Sequence, residues 1–411
     1  GVLYDRLIPR ELLAQAPPEA RLIFVGKRAG HHPKPQPEIN QLLLDHVRAG
    51  KRVVRLKGGD NFMFSRGGEE LLALTKAGLP FEIVPGLTSA IGVLAFAGIP
   101  LTQKGINSSF TILTGHEDPK KPVTMLNWQR LAQQETLVLL MAVRKLPHIC
   151  QALLAAGKPA ETPVAMISWG TTDHQRVLTG RLDDIVGRYQ ANRLPTPAII
   201  VVGEVVRLHK QLAWHQPYGL ADGFVGEEQE TAVSPLPMPT VARVGAGPGA
   251  AGRVKVRGLG RLRQAGGILH DRLVNPQLLT EAKAGASVIN VGKSDKRERY
   301  PQAEINRLLV AHGGTGKRVV RLKGGDPFVF GLGGDECLAL RAAGIQYEIV
   351  PGLSSVTAVP GSLHIPLTHR GVNAGLTVMS GHVAPSKNEK QWRHLPEHTT
   401  LVVLMGLRKL P

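Results

Sequence analysis

Two Gly-Gly-Asp turns carry the first chemistry in this chain, at Gly58, Gly59 and Asp60 and again at Gly324, Gly325 and Asp326. Glycine lets a backbone approach a ligand with no Cβ between them. Such a turn can hold a cofactor through backbone and carboxylate. It can equally be a turn whose aspartate caps a helix or satisfies local N–H groups. Asp5 stands at the tip of a strand end read over residues 1–7, and a second strand over 21–26 ends at Lys27. In open α/β sheets ligands bind beyond the C-terminal ends of the strands, although a lone charge there is usually a surface charge. The run 244–249, VGAGPG, is a third candidate. A Gly-rich turn at a helix start can present backbone N–H groups to an anion, and a plain tight turn fits it as well. Residues 253–257 alternate basic and apolar side chains and make a poor helix start. The histidines are scattered without metal-ligand spacing, and no Ser-His-Asp signature is present.

The elements that position these groups occur twice. The decapeptide KRVVRLKGGD stands at 51–60 and, letter for letter, at 317–326. VGK, EIN, VPG and PLT recur at the same offset of 266, and LLMA at 139–142 matches VLMG at 403–406 at an offset of 264. A repeat this long marks a duplication. Within the first copy, apolar residues 39, 42, 43 and 47 line one face of a helix over 38–49 that ends at Gly50. Further helices are predicted over 66–77 and 88–97, and strands over 53–56, 81–84, 110–114, 136–141, 163–168, 176–179 and 198–206. Strand and helix alternate, so the expected class is α/β with mostly parallel sheets. Met141, inside TLVLLMA, reads as core packing.

Composition bounds the rest. The 411 residues suffice for several domains, and 43% hydrophobic content is ordinary for a globular chain. No apolar run approaches the ~18 residues of a membrane span. Cys150 and Cys337 lack metal-ligand spacing, which points to a reducing, cytoplasmic setting. The net charge of +18 fits nucleic acid, a small polyanion or a solvated basic surface, while 4% aromatics gives little for stacking on bases. The chain opens mid-element on Gly1, which reads as a fragment. The expected domains are 1–105, 106–217, 240–372 and a truncated 373–411, with a Pro-rich linker at 218–239. The first copy lacks an opening strand and helix, and the second lacks most of its second domain.

Taken together, VLYDRL, VGKRAG, PQPEIN, KRVVRLKGGD, VPGLTSA, GIPLT, LTGH, LVLLMA and PAIIVVGEVV resemble the uroporphyrinogen-III C-methyltransferases. These are tetrapyrrole methylases, found also as the methylating half of siroheme synthase. The resemblance implies two α/β domains with S-adenosylmethionine in the cleft between them and no metal. It implies transfer of methyl groups to uroporphyrinogen III, giving precorrin-2 for siroheme or cobalamin. Asp5 and Asp271 then match the proton acceptor, and Lys27 and Lys293 the donor. Gly58, Gly59, Asp60, Met63, Thr88, Ser89, Met141 and Gly170 match cofactor contacts in the first copy. Pro248, Gly324, Gly325, Asp326, Val329, Ser354, Ser355 and Met405 match them in the second.

A polycarboxylate substrate suits a basic protein, which favours the small polyanion over nucleic acid. The expected assembly is a homodimer or a pairing of the two copies within one chain, with no membrane. There are departures from the pattern. Ala250 replaces the aspartate of the Gly-rich loop, and Arg253, Val254 and Lys255 replace Leu-Leu-Thr. Asn61 stands opposite Pro327, and Leu332 opposite Arg66. These leave a degenerate scaffold, or a relative acting on another precorrin or RNA, as alternatives. Residues 240–270 could complete the first copy by exchange, but pairing with their own copy is favoured, because duplicated domains usually fold as units.

Overall fold

The computed structural model describes residues 1–26, 34–115, 125–215, 239–292, 300–382 and 392–407. Short aliphatic runs form its strands: β1 (Val2–Tyr4), β2 (Leu22–Phe24), β3 (Val54–Leu56), β4 (Ser109–Thr114), β5 (Thr136–Leu140), β6 (Pro163–Ser168), β7 (Arg176–Arg181) and β8 (Ala198–Gly203) in the first copy. The second copy supplies β9 (Val241–Gly245), β10 (Gly267–His270), β11 (Ser287–Asn290), β12 (Val319–Lys323), β13 (Tyr347–Val350), β14 (Gly375–Ser380) and β15 (Thr399–Leu404). Helices alternate with them, and the class is α/β. The chain divides into two compact units, residues 1–88 with 357–374, and residues 89–356 with 375–411. Each unit therefore contains parts of both copies.

The first unit holds a parallel sheet in the order β2-β1-β3. Leu3 and Val25 pack against Ile39 and Leu43, which lie four apart on one face of helix Gln36–Arg48. The predicted strand at 81–84 does not form. Its duplicate, β13, has a single strand neighbour, β9. Among the described residues no strand of the first copy takes the place of β9 beside 81–84, so the backbone there joins no ladder, and Val84 is exposed.

The second unit holds two sheets. One is parallel throughout, in the order β11-β10-β12-β9-β13. Val319 lies opposite Val241, so β9 serves its own copy and the exchange of residues 240–270 is rejected. The other sheet is mixed, in the order β15-β14-β4-β5-β8-β6-β7. It joins the copies where β4 runs antiparallel to β14. Thr111 pairs with Thr377, its own duplicate, and their hydroxyls lie 3.1 Å apart. Helix Ser89–Phe96 is buried from Ala90 to Phe96 and packs against β5, β8 and β13. Ala95, Leu208 and Leu212 of the first copy share a core with Phe328, Cys337 and Ile349 of the second. No helix among the described residues is long and apolar enough to cross a membrane. The predicted linker lies almost wholly outside the described residues.

Candidate functional site

In the second copy, three Gly-rich turns converge at the C-terminal ends of β9, β12 and β13. Gly247 and Gly325 form an antiparallel bridge, with Gly325 N–H donating to Gly247 O at 2.9 Å. A Cβ on Gly245 would stand 2.4 Å from Gly352 N, and one on Gly352 would stand 2.2 Å from Gly325 O. Only glycine permits this backbone-on-backbone contact. Asp326 locks it: its carboxylate accepts from Phe328 N–H at 2.8 Å and Gly352 N–H at 3.0 Å. After the 244–249 loop, Ala250, Val254 and Lys255 remain extended, and the α-helix starts only at Val256. The poor helix start expected from 253–257 is what the chain adopts.

The first copy repeats two of the three turns. Asp60 accepts from Phe62 N–H at 2.8 Å and Gly86 N–H at 3.2 Å. A Cβ on Gly86 would stand 1.9 Å from Gly59 O. Gly58 and Gly59 are exposed. A Cβ on Gly58 would meet nothing closer than Leu7 Cβ at 3.8 Å, so the backbone there is open to a ligand. The two aspartates thus satisfy local N–H groups.

Burial pushes the carboxyls of Asp60 and Asp326 up to about 6, against the pull of their N–H donors. The folded value lies above the unfolded one. The fold therefore takes up a proton that the unfolded chain does not, and stability from these groups rises as pH falls through about 6. Asp326→Asn removes that titration. The advantage of the native chain over this variant should grow by about 2 kcal/mol on going from about pH 7 to about pH 4. Urea denaturation at the two pH values measures it. An advantage that shrinks on acidification would reject the assignment.

Beside each turn lies a charged cluster that the sequence reading passed over. Arg321 and Lys323 alternate with Val320 and Leu322 along β12, so both point to one face. There Glu336 accepts from Arg243 Nη2 at 2.5 Å, Arg321 Nε at 3.3 Å, Lys323 Nζ at 3.4 Å and Gln302 Nε2 at 3.3 Å. Burial alone would push Glu336 up, but Arg243, Arg321 and Lys323 hold it far below the usual carboxylate range. Arg321 Nη2 also binds Asp271 Oδ1, and Lys323 Nζ lies 3.3 Å from Asp271 Oδ2. Burial pushes Asp271 up, and Lys323 and Arg321 outweigh it, so the group stays ionised and weakly basic.

The first copy keeps most of this arrangement. Glu70 accepts from Arg55 Nε at 3.1 Å, Lys57 Nζ at 3.0 Å and Gln36 Nε2 at 3.1 Å. Arg55 Nη2 holds Asp5 Oδ1 at 2.7 Å. Asp5 Oδ2 is not engaged among the described residues, whereas both oxygens of Asp271 are. The signal was present in KRVVRLKGGD itself, where polar residues at alternate positions of an apolar strand mark one side for polar partners.

The remaining expected site residues are placed as follows. Met63, Val329, Thr88 and Ser354 are buried. Ser89 opens helix Ser89–Phe96 and is exposed, while Ser355 opens helix Ser355–Ser362 and is half-buried, as is Pro248 in its loop. Met141 and Met405 directly follow β5 and β15, with φ of 55° and 56°. Both are more than half exposed, so Met141 does not pack in the core as its apolar run suggested. A Cβ on Gly170 would stand 2.3 Å from Val93 Cγ1. Asp5, Gly58, Gly59, Asp60, Met63 and Thr88 belong to the first unit, and Ser89, Met141 and Gly170 to the second. Every described site residue of the second copy belongs to the second unit. Lys27 and Lys293 lie outside the described residues.

The sequence model described as Tetrapyrrole (Corrin/Porphyrin) Methylases matches residues 2–186 and 240–411. Siroheme synthase 1 of Klebsiella pneumoniae is 48% identical over 224 residues, 54% of this chain and 47% of that protein. Siroheme synthase 2 of Aeromonas salmonicida is 50% identical over 216 residues, 52% of this chain and 44% of that protein. The chain thus spans about half the length of the curated relatives it matches. Among solved structures, the uroporphyrin-III C-methyl transferase of Thermus thermophilus, complexed with S-adenyl homocysteine, is 38% identical. It covers 50% of this chain and 86% of that one, with a TM-score of 0.43.

Proposed function

Because the chain belongs to the tetrapyrrole (corrin/porphyrin) methylase family, we propose that it transfers methyl groups from S-adenosylmethionine to carbon atoms of uroporphyrinogen III, giving precorrin-2. The observation that carries this reading is the duplicated pairing of a glycine turn with a strand-end aspartate. Gly58 and Gly59 stand beside Asp5, and Gly324 and Gly325 beside Asp271, at the edge where α/β sheets take ligands.

When bound, S-adenosylmethionine supplies an electrophilic methyl group. The open backbone at Gly58 and Gly59, with Met63, would hold it in the first copy. Methylating a ring carbon leaves a proton to remove, and a positioned carboxylate assists that removal. Asp5 suits the task, since Arg55 fixes one oxygen and the other is not engaged among the described residues. Asp271, with both oxygens engaged, suits it less. Lys255 also weakens the second site for a sulfonium, because its half-buried ammonium lies within electrostatic reach of Asp326. Cofactor binding is therefore proposed to be weak in the first copy, which lacks the 244–249 loop, and weaker or absent in the second. A reducing, cytoplasmic setting fits the two buried free thiols, Cys150 and Cys337.

The full chain should methylate uroporphyrinogen III once and then again, followed by mass spectrometry of the product, and should leave RNA unmodified. The full chain is required because each compact unit draws on both copies. No transfer to uroporphyrinogen III, or comparable transfer to RNA, overturns the reading.

A further inference from the structure

Thr102 and Thr368 stand at equivalent places in the two copies, and each bonds to the other copy. Thr368 donates from its backbone N–H to Phe62 O at 3.1 Å and from its hydroxyl to the same oxygen at 3.0 Å. Its Oγ1 accepts from Phe64 N–H at 2.7 Å. Thr102 repeats the set: backbone N–H to Phe328 O at 3.2 Å, hydroxyl to Phe328 O at 3.4 Å, and Oγ1 accepting from Phe330 N–H at 2.7 Å. Both threonines are buried.

What they grip is strained. Phe64 and Phe330 have φ of 54° and 51°, and Arg66 and Leu332 follow at 60° and 51°. A bulky residue keeps a left-handed conformation only when its surroundings impose it. Between the two gripped groups lies Met63 in one copy and Val329 in the other.

The gripping segments are themselves built for the role. Asn107 accepts from Gln103 N–H and donates to Leu101 O, and Asn373 does the same for His369 and Leu367. The neighbouring glycines are matched to them. A Cβ on Gly68 would stand 2.9 Å from His369 Cδ2, and one on Gly334 would stand 2.0 Å from Gln103 Oε1. Gln103 Nε2 then donates to Asp335 Oδ1 at 2.6 Å.

We infer that each copy's cofactor loop is set by a threonine of the other copy. Thr368 positions the turn carrying Met63, and Thr102 positions the turn carrying Val329. Both are positioning residues, and the inference rests on the methylase reading given above. Each copy then depends on the other for the shape of its loop, although neither threonine belongs to the loop that it shapes.

Hydrogen exchange on the full chain tests this, with S-adenosylhomocysteine as the probe ligand. Thr368→Val keeps the side-chain shape and removes the hydroxyl. It should speed exchange of the Phe64 amide about tenfold or more, and raise about tenfold the ligand concentration that half-protects residues 58–64. Exchange of the Phe330 amide should stay unchanged. Thr102→Val should speed exchange at Phe330 and leave Phe64 unchanged. Thr368→Ser and Thr102→Ser, which restore the hydroxyl, should return native behaviour and so separate loss of the bond from loss of folding. The inference is overturned if either valine variant loosens the loop of its own copy, or both loops equally. It is also overturned if Thr368→Val speeds exchange with no change in ligand affinity. If the native chain shows no protection at 58–64, the methylase reading fails and the positioning role falls with it. The amide rates would still report whether the bonds cross between copies.

Discussion

Glu336→Gln should destabilise the second unit by about 3–5 kcal/mol, because it leaves buried cations without their shared anion. The side chains of Glu336 and Arg243 are 0% exposed, and those of Arg321 and Lys323 are 1% and 7% exposed. Once Glu336 is neutral, Asp271 still pairs with Arg321 and Lys323, but Arg243 loses its carboxylate partner. Glu70→Gln in the first copy should cost less, since the cations paired with Glu70 among the described residues are Arg55 and Lys57, and Asp5 balances one of them. Urea denaturation at neutral pH measures both, and equal losses would show that Arg243 adds nothing to the cluster. The pH dependence has a definite sign. Glu336 lies below its ordinary value in the fold, so its contribution is full above the unfolded value of 4.5 and is lost as pH falls below it. Acid therefore weakens this cluster while it relieves Asp60 and Asp326.

Asp5→Asn should lower turnover of uroporphyrinogen III by on the order of a hundredfold, the usual cost of losing a general base. Cofactor affinity should change little, because the amide can still meet Arg55 through its oxygen. The matching change Asp271→Asn should lower turnover far less if the first copy carries the chemistry. Steady-state kinetics with calorimetry of S-adenosylhomocysteine binding separates the two effects. Unchanged turnover in Asp5→Asn would return Asp5 to the status of a surface charge held by Arg55.

Much of this was legible in the sequence, for a physical reason. A repeat of identical decapeptides fixes both strands and both glycine turns at once, and alternation of apolar runs with amphipathic segments fixes the α/β class. The failures concern partners. Residues 81–84 have the composition of a strand, but whether they form one depends on a partner strand such as the β9 that β13 pairs with, and the described residues of the first copy supply none. Met141 looks apolar enough for the core, yet the strand ends one residue before it and turns it outward. For the aspartates of the turns the sequence left open a ligand role and a local one, and only the fold shows that each accepts from two backbone N–H donors. Arg243 is a basic residue in the middle of an apolar strand, which local propensity alone cannot explain. Its partner Glu336 lies 93 positions later and is visible only once the sheet is assembled.

The antiparallel pairing of β4 with its own duplicate also sets how the protein responds to dilution. The register is self-complementary about Thr111 and Thr377, so it is the register in which two separate molecules could meet as equals. Joined in one chain, the strands face each other at an effective concentration on the order of millimolar whatever the amount of protein present. Association of these two strands then obeys no mass action, so this contact adds no dependence of the unfolding midpoint on protein concentration, unlike a contact between separate subunits. The tether has a second effect. In a symmetric pair every substitution appears twice, whereas here Asn61 can differ from Pro327, and Arg66 from Leu332. One half is then free to lose chemistry while it continues to support the other.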